Sequence, residues 1–282
     1  MNDYNVASTT ARDGTSIGWE VVGSGPPLLV LHGRGRAGKH YRTLAKHLAS
    51  SFTVILVDRR GRGLTPSAPT ADLQTIVGDV GAVLDATGAG RVFGHSAGAL
   101  FSLEVASRLP IKELAVYEPP LPAETGLPLD WIGEFEAALA ARRAGRAMIL
   151  LGRGLQMGPP AWLPDWVMEA GAWVGGLTRG RQGVELLHEL QTLPFEIAAA
   201  NDCRASAYAA VSARTLLMHG TASPPFLLAA TELLSRTIPG AKVLTLRGQG
   251  HNGPDVTGPE VVARALLSFF SKTDGPHPGP RA

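Results

Sequence analysis

The chain has 282 residues, a hydrophobic content of 45% and a formal net charge of +2. This length and composition are typical of one large α/β domain with room for an inserted cap. The small charge, with no basic cluster interleaved with aromatic residues, gives no support for nucleic-acid binding. No apolar run reaches the roughly 18 residues that a membrane-spanning helix needs.

The cysteine and histidine content argues against disulfide-stabilised and metal-binding classes of protein. A single cysteine, Cys203, excludes an internal disulfide, and no Cys/His spacing is typical of a metal site. The N-terminal residues 1–4 are polar and lack the apolar core of a signal peptide. We therefore expect a cytoplasmic protein that acts on a small molecule, needs no metal or other cofactor, and has no membrane partner. The sequence does not predict its oligomeric state.

Predicted strands and helices alternate along the first 117 residues. Alternation over 8–22 predicts a β-hairpin. Continuous apolar runs then predict buried strands, and apolar spacings of three and four predict helices. In chain order these are strand 27–31, helix 40–49, strand 52–57, a helix from Asp72 to the stop at Gly88, strand 91–95, helix 97–109 and strand 114–117. This rhythm predicts a mostly parallel sheet, with reactive groups at the carboxyl ends of its strands.

The pattern changes after residue 120. Over 121–199 the strand signals disappear, and broken helical segments are predicted at 131–144, 164–173 and 184–190. The sheet pattern then resumes with strand 214–218, helix 226–238, strand 242–246 and helix 259–271. We therefore predict an α/β core over 1–120 and 200–272, and a helical cap over 121–199. The Gly/Pro-rich tail 273–282 is predicted to be disordered.

A candidate nucleophile lies between a predicted strand and a predicted helix, in Gly94-His95-Ser96-Ala97-Gly98. A serine hydroxyl that must stand clear of the backbone needs a sharp strand-to-helix turn, which crowds the residues two positions away on either side. Glycine has no Cβ to clash at those positions. The pentapeptide and its context therefore predict an exposed nucleophilic serine.

Three further motifs accompany this turn: His32-Gly33, Asp58-Arg59-Arg60-Gly61-Arg62-Gly63, and Gly248-Gln249-Gly250-His251. With them the chain, from about residue 8 to 271, resembles the α/β-hydrolase fold family. The resemblance implies a mostly parallel central sheet, flanking helices and a helical cap. It also implies Ser96 as nucleophile and His251 as general base, with the acid between them in the chain. The backbone N–H groups of Arg34 and Ala97 are the expected oxyanion-hole donors.

The acid departs from the commonest pattern of the family. Its usual place, a few residues past His219-Gly220, holds 221–225, which contain no carboxylate. Ser223 could orient an imidazole, but it cannot supply the negative charge that stabilises an imidazolium. Glu118, at the end of the strand that follows the nucleophile's helix, is the predicted acid. Asp255 and Asp58 are the weaker alternatives, and Asp58 is expected to pair with a neighbouring arginine.

Five residues are predicted to contribute to the substrate site: His32, His95, Trp131, Trp162 and Trp166. His95 flanks the nucleophile and is expected to form local hydrogen bonds. His32 is expected to support the loop that carries the Arg34 N–H. The tryptophans either form the core of the cap or line an apolar pocket beneath it.

A serine hydrolase that cleaves an ester, lactone or thioester of a small apolar molecule through an acyl-enzyme is the predicted function. The resemblance also argues against dehalogenase and epoxide-hydrolase chemistry. Members of this fold with those activities have an aspartate, and not a serine, at the position of the nucleophile. Two alternatives stay open. One is a non-hydrolytic enzyme of the same fold that performs cyclisation, lyase or acyl-transfer chemistry. The other is a ligand-binding protein with a vestigial site.

Overall fold

The computed structural model describes residues 4–66, 72–158, 162–174, 178, 187, 190–191 and 193–271, and in these an eight-stranded sheet runs through the molecule. The strands are β1 (Asn5–Thr10), β2 (Ser16–Val22), β3 (Pro27–Leu31), β4 (Thr53–Val57), β5 (Arg91–His95), β6 (Glu113–Tyr117), β7 (Arg214–Gly220) and β8 (Lys242–Leu246). Their order is β1-β2-β4-β3-β5-β6-β7-β8. The pairs β1–β2 and β2–β4 are antiparallel, and the rest of the sheet is parallel. The predicted mostly parallel sheet is confirmed.

Helices follow most of the parallel strands. They are α1 (Arg42–Leu48), α2 (Leu73–Thr87), α3 (Ala97–Ala106), α4 (Pro122–Thr125), α5 (Ile132–Ala140), α6 (Ala144–Gly154), α7 (Asp165–Val174), α8 (Leu193–Asp202), α9 (Pro225–Thr237) and α10 (Pro259–Phe270). Helix α2 shows how the sequence sets the ends of these elements. The Asp72 side chain accepts hydrogen bonds from the N–H groups of Gln74 and Thr75, and Gly88 ends the helix at φ 65°.

The sheet is covered on both faces, which explains why its central strands are continuously apolar. One apolar layer joins the sheet to α2, α3 and α9, and the other joins it to α1 and α10. This arrangement leaves the carboxyl edge of the parallel strands as the place where loops can gather. None of the helices in the described ranges has the length and apolarity required to cross a bilayer.

Between β6 and β7 the described residues form helices joined by loops, and none of them forms a strand. The helix predicted over 131–144 is α5 and ends earlier, at Ala140, and the one predicted over 164–173 is α7. The predicted helix 184–190 falls mostly outside the described residues. The sequence did not predict α4, α6 or α8 as separate helices. Side chains of α5 and α6, together with Leu187, Leu190 and Leu193, form an apolar cluster of their own that includes the fully buried Phe135.

Candidate active site

The carboxyl ends of four parallel strands bring the candidate groups to one edge. Leu31 of β3 lies beside Gly94 of β5, and His95 lies beside Tyr117 of β6. Tyr117 in turn pairs with Met218 of β7. The loops that begin just after these positions therefore open side by side.

Ser96 lies between β5 and α3 in a strained backbone conformation. Its φ is 54° and its ψ is −121°, a region that non-glycine residues seldom adopt. The two flanking glycines permit the turn: a Cβ on Gly94 would overlap Ser102 and Gly98, and a Cβ on Gly98 would overlap the carbonyl groups of Leu31 and His32. The sequence thus forces the serine hydroxyl outward at the head of the helix.

His251 lies in the loop after β8 and bridges the serine to a carboxylate. Its Nε2 lies 3.0 Å from Ser96 Oγ, and its Nδ1 lies 2.6 Å from Glu118 Oε2. The carboxylate can only accept, so Nδ1 carries the proton that it donates to Glu118. Nε2 is then free to accept the proton of the Ser96 hydroxyl. This is the geometry of a general base aimed at a nucleophile.

Glu118 is fully buried, with three donors on its carboxylate. Besides His251, the backbone N–H of Gly220 donates to Oε1 at 2.7 Å, and the Ser223 hydroxyl donates to the same oxygen. Like Ser96, Glu118 has a positive φ, 52°. A buried carboxylate held by a backbone amide, a hydroxyl and an imidazole is fixed in place next to Nδ1.

A second hydrogen-bond chain joins the loop after β3 to the loop that carries His251. The Tyr41 hydroxyl accepts from the N–H of Gly33 at 2.9 Å, so its own proton points to His95 Nδ1 at 2.6 Å. His95 Nε2–H then donates to the carbonyl of His251 at 2.8 Å. Burial lowers the pKa of His95, and this keeps the ring neutral as the chain requires. Tyr117 supports the same loop by donating to the carbonyl of Gly250 at 2.8 Å.

The loop after β3 lies against the nucleophile. A Cβ on Gly33 would come within 3.3 Å of Ser96 Cβ. The next N–H along this loop belongs to Arg34, and the first N–H of α3 belongs to Ala97, which has no acceptor within its helix. The Arg59 side chain stabilises the loop from below by donating to its carbonyl groups at 3.2 and 3.3 Å. The N–H groups of Arg34 and Ala97 stay the predicted donors to a tetrahedral oxyanion.

A cavity of about 310 Å³ opens above Ser96 and His251. Its volume is at the lower end of small-molecule sites. Apolar side chains from the helical stretch, from the chain that leads into it and from α9 form most of its lining: Leu127, Leu129, Trp131, Met148, Leu151, Leu155, Met157, Leu190, Leu193, Ile197, Phe226 and Leu227. The site can therefore hold a small, largely apolar molecule against the serine.

A family model described as the alpha/beta hydrolase family matches residues 28–265. The chain belongs to the alpha/beta hydrolase family. The crystal structure of an alpha/beta hydrolase from Sphaerobacter thermophilus is 32% identical, with a TM-score of 0.77, and the match covers 94% of this chain and all of that one. An enol-lactonase from Burkholderia xenovorans, 17% identical, shares the fold with a TM-score of 0.71 over 94% of this chain and all of its own.

Among curated proteins, the pimeloyl-[acyl-carrier protein] methyl ester esterase of Chromobacterium violaceum is 34% identical over 99 residues. That match spans 34% of this chain and only 38% of the esterase. These relatives carry the names of hydrolases and esterases, and the family to which the chain belongs agrees with the predicted hydrolase class.

Two tryptophans predicted to contribute to the substrate site of this alpha/beta hydrolase lie elsewhere. Trp131 lines the cavity and also packs against Phe135 of the cap cluster. Trp162 and Trp166 are 80% and 73% exposed and are not among the lining residues. The correction has a simple cause: a tryptophan on an interrupted amphipathic segment can face either side, and only the packing of the helices selects one.

Only one of the two predicted histidines lies at the cavity, and the two alternative acids have other partners. His95 reaches the cavity wall, whereas His32 is buried beneath the loop, donates to the Gly33 carbonyl at 2.9 Å and does not line the cavity. Asp255 pairs with Arg36 at 2.7 Å. The carboxylate of Asp58 accepts from the backbone N–H groups of Gly38 and Leu64, and the structure records no ion pair between it and Arg59. That carboxylate therefore anchors backbone.

Three contributors to the site of this hydrolase were missed. Tyr41, Tyr117 and Arg59 each position a loop of the site through hydrogen bonds. Arg59 belongs to a motif that the sequence analysis had singled out, and Tyr117 directly precedes the predicted acid. Tyr41 carries no such signal, because its partners are brought to it only by the packing of the sheet.

Proposed function

We propose that this hydrolase cleaves a carboxylic ester, lactone or thioester of a small, mostly apolar molecule through a Ser96–His251–Glu118 triad. The observation that carries the proposal is the unbroken hydrogen-bond chain from the Ser96 hydroxyl to a fully buried carboxylate, at the floor of an apolar cavity. The relatives named methyl ester esterase and enol-lactonase act on bonds of this kind by their names, which supports the reaction class.

The chemistry would proceed in two halves. Ser96 Oγ attacks the carbonyl carbon while His251 Nε2 takes the hydroxyl proton, and the backbone N–H groups of Arg34 and Ala97 stabilise the oxyanion. His251 returns the proton to the leaving oxygen or sulfur, and an acyl-enzyme remains on Ser96. Water then attacks the acyl carbon as His251 Nε2 takes its proton. The bond between the acyl carbon and Ser96 Oγ breaks, His251 returns the proton to Oγ, and the carboxylic acid leaves. Glu118 holds the imidazole in the required tautomer and stabilises its charged form.

Intact-mass analysis after treatment with a fluorophosphonate tests the proposal without knowledge of the substrate. Wild type should gain one adduct, and Ser96→Ala should gain none. A panel of short-chain esters, lactones and thioesters then identifies the bond that is cleaved, with product analysis separating hydrolysis from acyl transfer. If wild type stays unlabelled while a variant with a loosened cap is also unlabelled, Ser96 is not activated and the proposal is wrong.

A further inference from the structure

The loop that carries one predicted oxyanion donor also carries a guanidinium that forms no ion pair with the described residues. The side chain of Arg34 lines the cavity above Ser96. Its Nε is buried and has no hydrogen-bond partner within the described ranges, and no described carboxylate lies within 4.0 Å of its nitrogens. A half-buried cation whose Nε donor is unused therefore lies beside the space in which the substrate would bind.

The arginines around this residue do have acidic partners. Arg36, two residues further on, pairs with Asp255 at 2.7 Å. Arg59 lies 3.1 Å from Glu196 of α8, and Arg62 lies 3.7 Å from the same carboxylate oxygen. Two carboxylates thus already serve three guanidinium groups on this side of the cavity, and the fourth guanidinium is left in excess.

Moving a charged group away from water costs free energy unless a group of opposite charge lies beside it. Burial lowers the pKa of Arg34, with Glu196 acting in the opposite direction and Arg59 adding to the effect. A guanidinium still remains charged at neutral pH, so a partner of opposite charge inside the cavity would offset the cost of burying its Nε. An anionic ligand group would relieve that cost, and groups perturbed in this way inside a cavity are typical of binding sites.

We propose that Arg34 binds a carboxylate of the substrate, so that the substrates are small esters, lactones or thioesters that also carry a free carboxylate. The inference rests on the proposed function and deepens it. The planar guanidinium offers Nε and one terminal nitrogen as a pair of parallel donors, which match the two oxygens of a carboxylate. Since the same residue offers its N–H to the oxyanion, the carboxylate would lie within one arginine side chain of the scissile carbonyl.

Binding to the Ser96→Ala variant, measured by titration calorimetry, tests the carboxylate site without turnover. Two probe pairs cover both sides of the ester: monomethyl glutarate against dimethyl glutarate, and 4-acetoxybutanoate against its methyl ester. At least one anionic probe should bind about 10- to 100-fold more tightly than its neutral partner, as expected for a charge-assisted hydrogen-bond pair. Adding Arg34→Gln should remove this ratio, and Arg34→Lys, which keeps a point charge, should retain part of it.

Arg42→Gln is the matched control, because it removes one arginine from a pair with Glu20 outside the cavity. This control should keep the ratio of affinities and so exclude an effect of net charge alone. Ratios near one for both probe pairs, a ratio that survives Arg34→Gln, or equal losses for the charged and neutral probes would each overturn the inference. Fluorophosphonate labelling of Ser96 is scored separately: labelling without a ratio refutes only the carboxylate site, and a ratio without labelling refutes only the proposed hydrolysis.

Discussion

Glu118→Gln distinguishes the role of the Glu118 carboxylate from that of the Ser223 hydroxyl, which donates a hydrogen bond to it. The glutamine keeps the size of the side chain, and its oxygen can still accept from Gly220 N–H and Ser223. Its amide nitrogen, however, would donate toward His251 Nδ1, so Nδ1 must become an acceptor and Nε2 takes the proton. The ring could then no longer accept the proton of Ser96.

The expected loss follows from that change of tautomer and from the removal of the charge. The matching substitution in a well-studied triad lowers turnover by about 10⁴, which corresponds to about 5.5 kcal/mol at about 1.36 kcal/mol per decade. Ser223→Ala removes one donor but leaves the carboxylate its charge and two other donors. We expect this second variant to lose less than about tenfold, on the scale of one hydrogen bond.

The second-order rate constant of fluorophosphonate labelling measures both variants on one scale, with thermal unfolding as the check that each is folded. The reasoning is refuted if Glu118→Gln is labelled within about tenfold of the wild-type rate. It is also refuted if Ser223→Ala is slower than Glu118→Gln, because the hydroxyl would then have a role beyond supporting the carboxylate. Esterase kinetics on any substrate found in the panel should reproduce the same order.

Two further predictions concern stability. Gly98→Ala should destabilise the fold by at least about 1–3 kcal/mol in urea unfolding, because its Cβ would overlap backbone carbonyl groups; the matched change Gly78→Ala, where no atom lies within 4 Å, should stabilise helix α2 by up to about 1 kcal/mol, and equal effects would contradict the packing argument. Burial lowers the pKa of His32 and of His95, so below about pH 6.5 the unfolded chain takes up protons that the folded chain does not. The free energy of unfolding should therefore fall from pH 6.5 to pH 5 by up to about 1.4 kcal/mol per pH unit for each histidine. His95→Gln should reduce the slope of the free energy of unfolding against pH, and an unchanged slope would contradict the contribution assigned to His95.

Much of the sheet and of the candidate site could be predicted from local patterns. The central strands β3 and β4 are continuously apolar because both faces of the sheet are covered there, so each is visible in the sequence. The turn at Ser96 is encoded by two glycines within five residues. The sequence predicts Glu118 as the acid because it is the carboxylate at the next strand end, and parallel strands bring their carboxyl ends to one edge. Its catalytic role stays a proposal, although the hydrogen bond to His251 is the predicted one.

The helical stretch after β6 was the least predictable part. Its segments are short and interrupted by glycine and proline, so their periodicity does not say which side faces the cavity. Trp131 lines that cavity and Trp166 is exposed, yet both lie near the start of a short helix. A difference of this kind is decided by how helices pack on one another, which depends on contacts between residues far apart in the chain.

The sequence by itself determined the succession of strands and helices along the chain, the strained turn at the nucleophile and the position of the histidine loop. Each of these is set by residues close together in the chain. The tertiary structure decided which distant groups meet. It joined Tyr41 to His95 and brought Glu196 to two arginines, whereas Arg34 forms no ion pair with any carboxylate in the described part of the chain. The physical reason is that hydrogen bonds and ion pairs act over a few ångströms in space, and sequence periodicity carries no record of contacts made between elements.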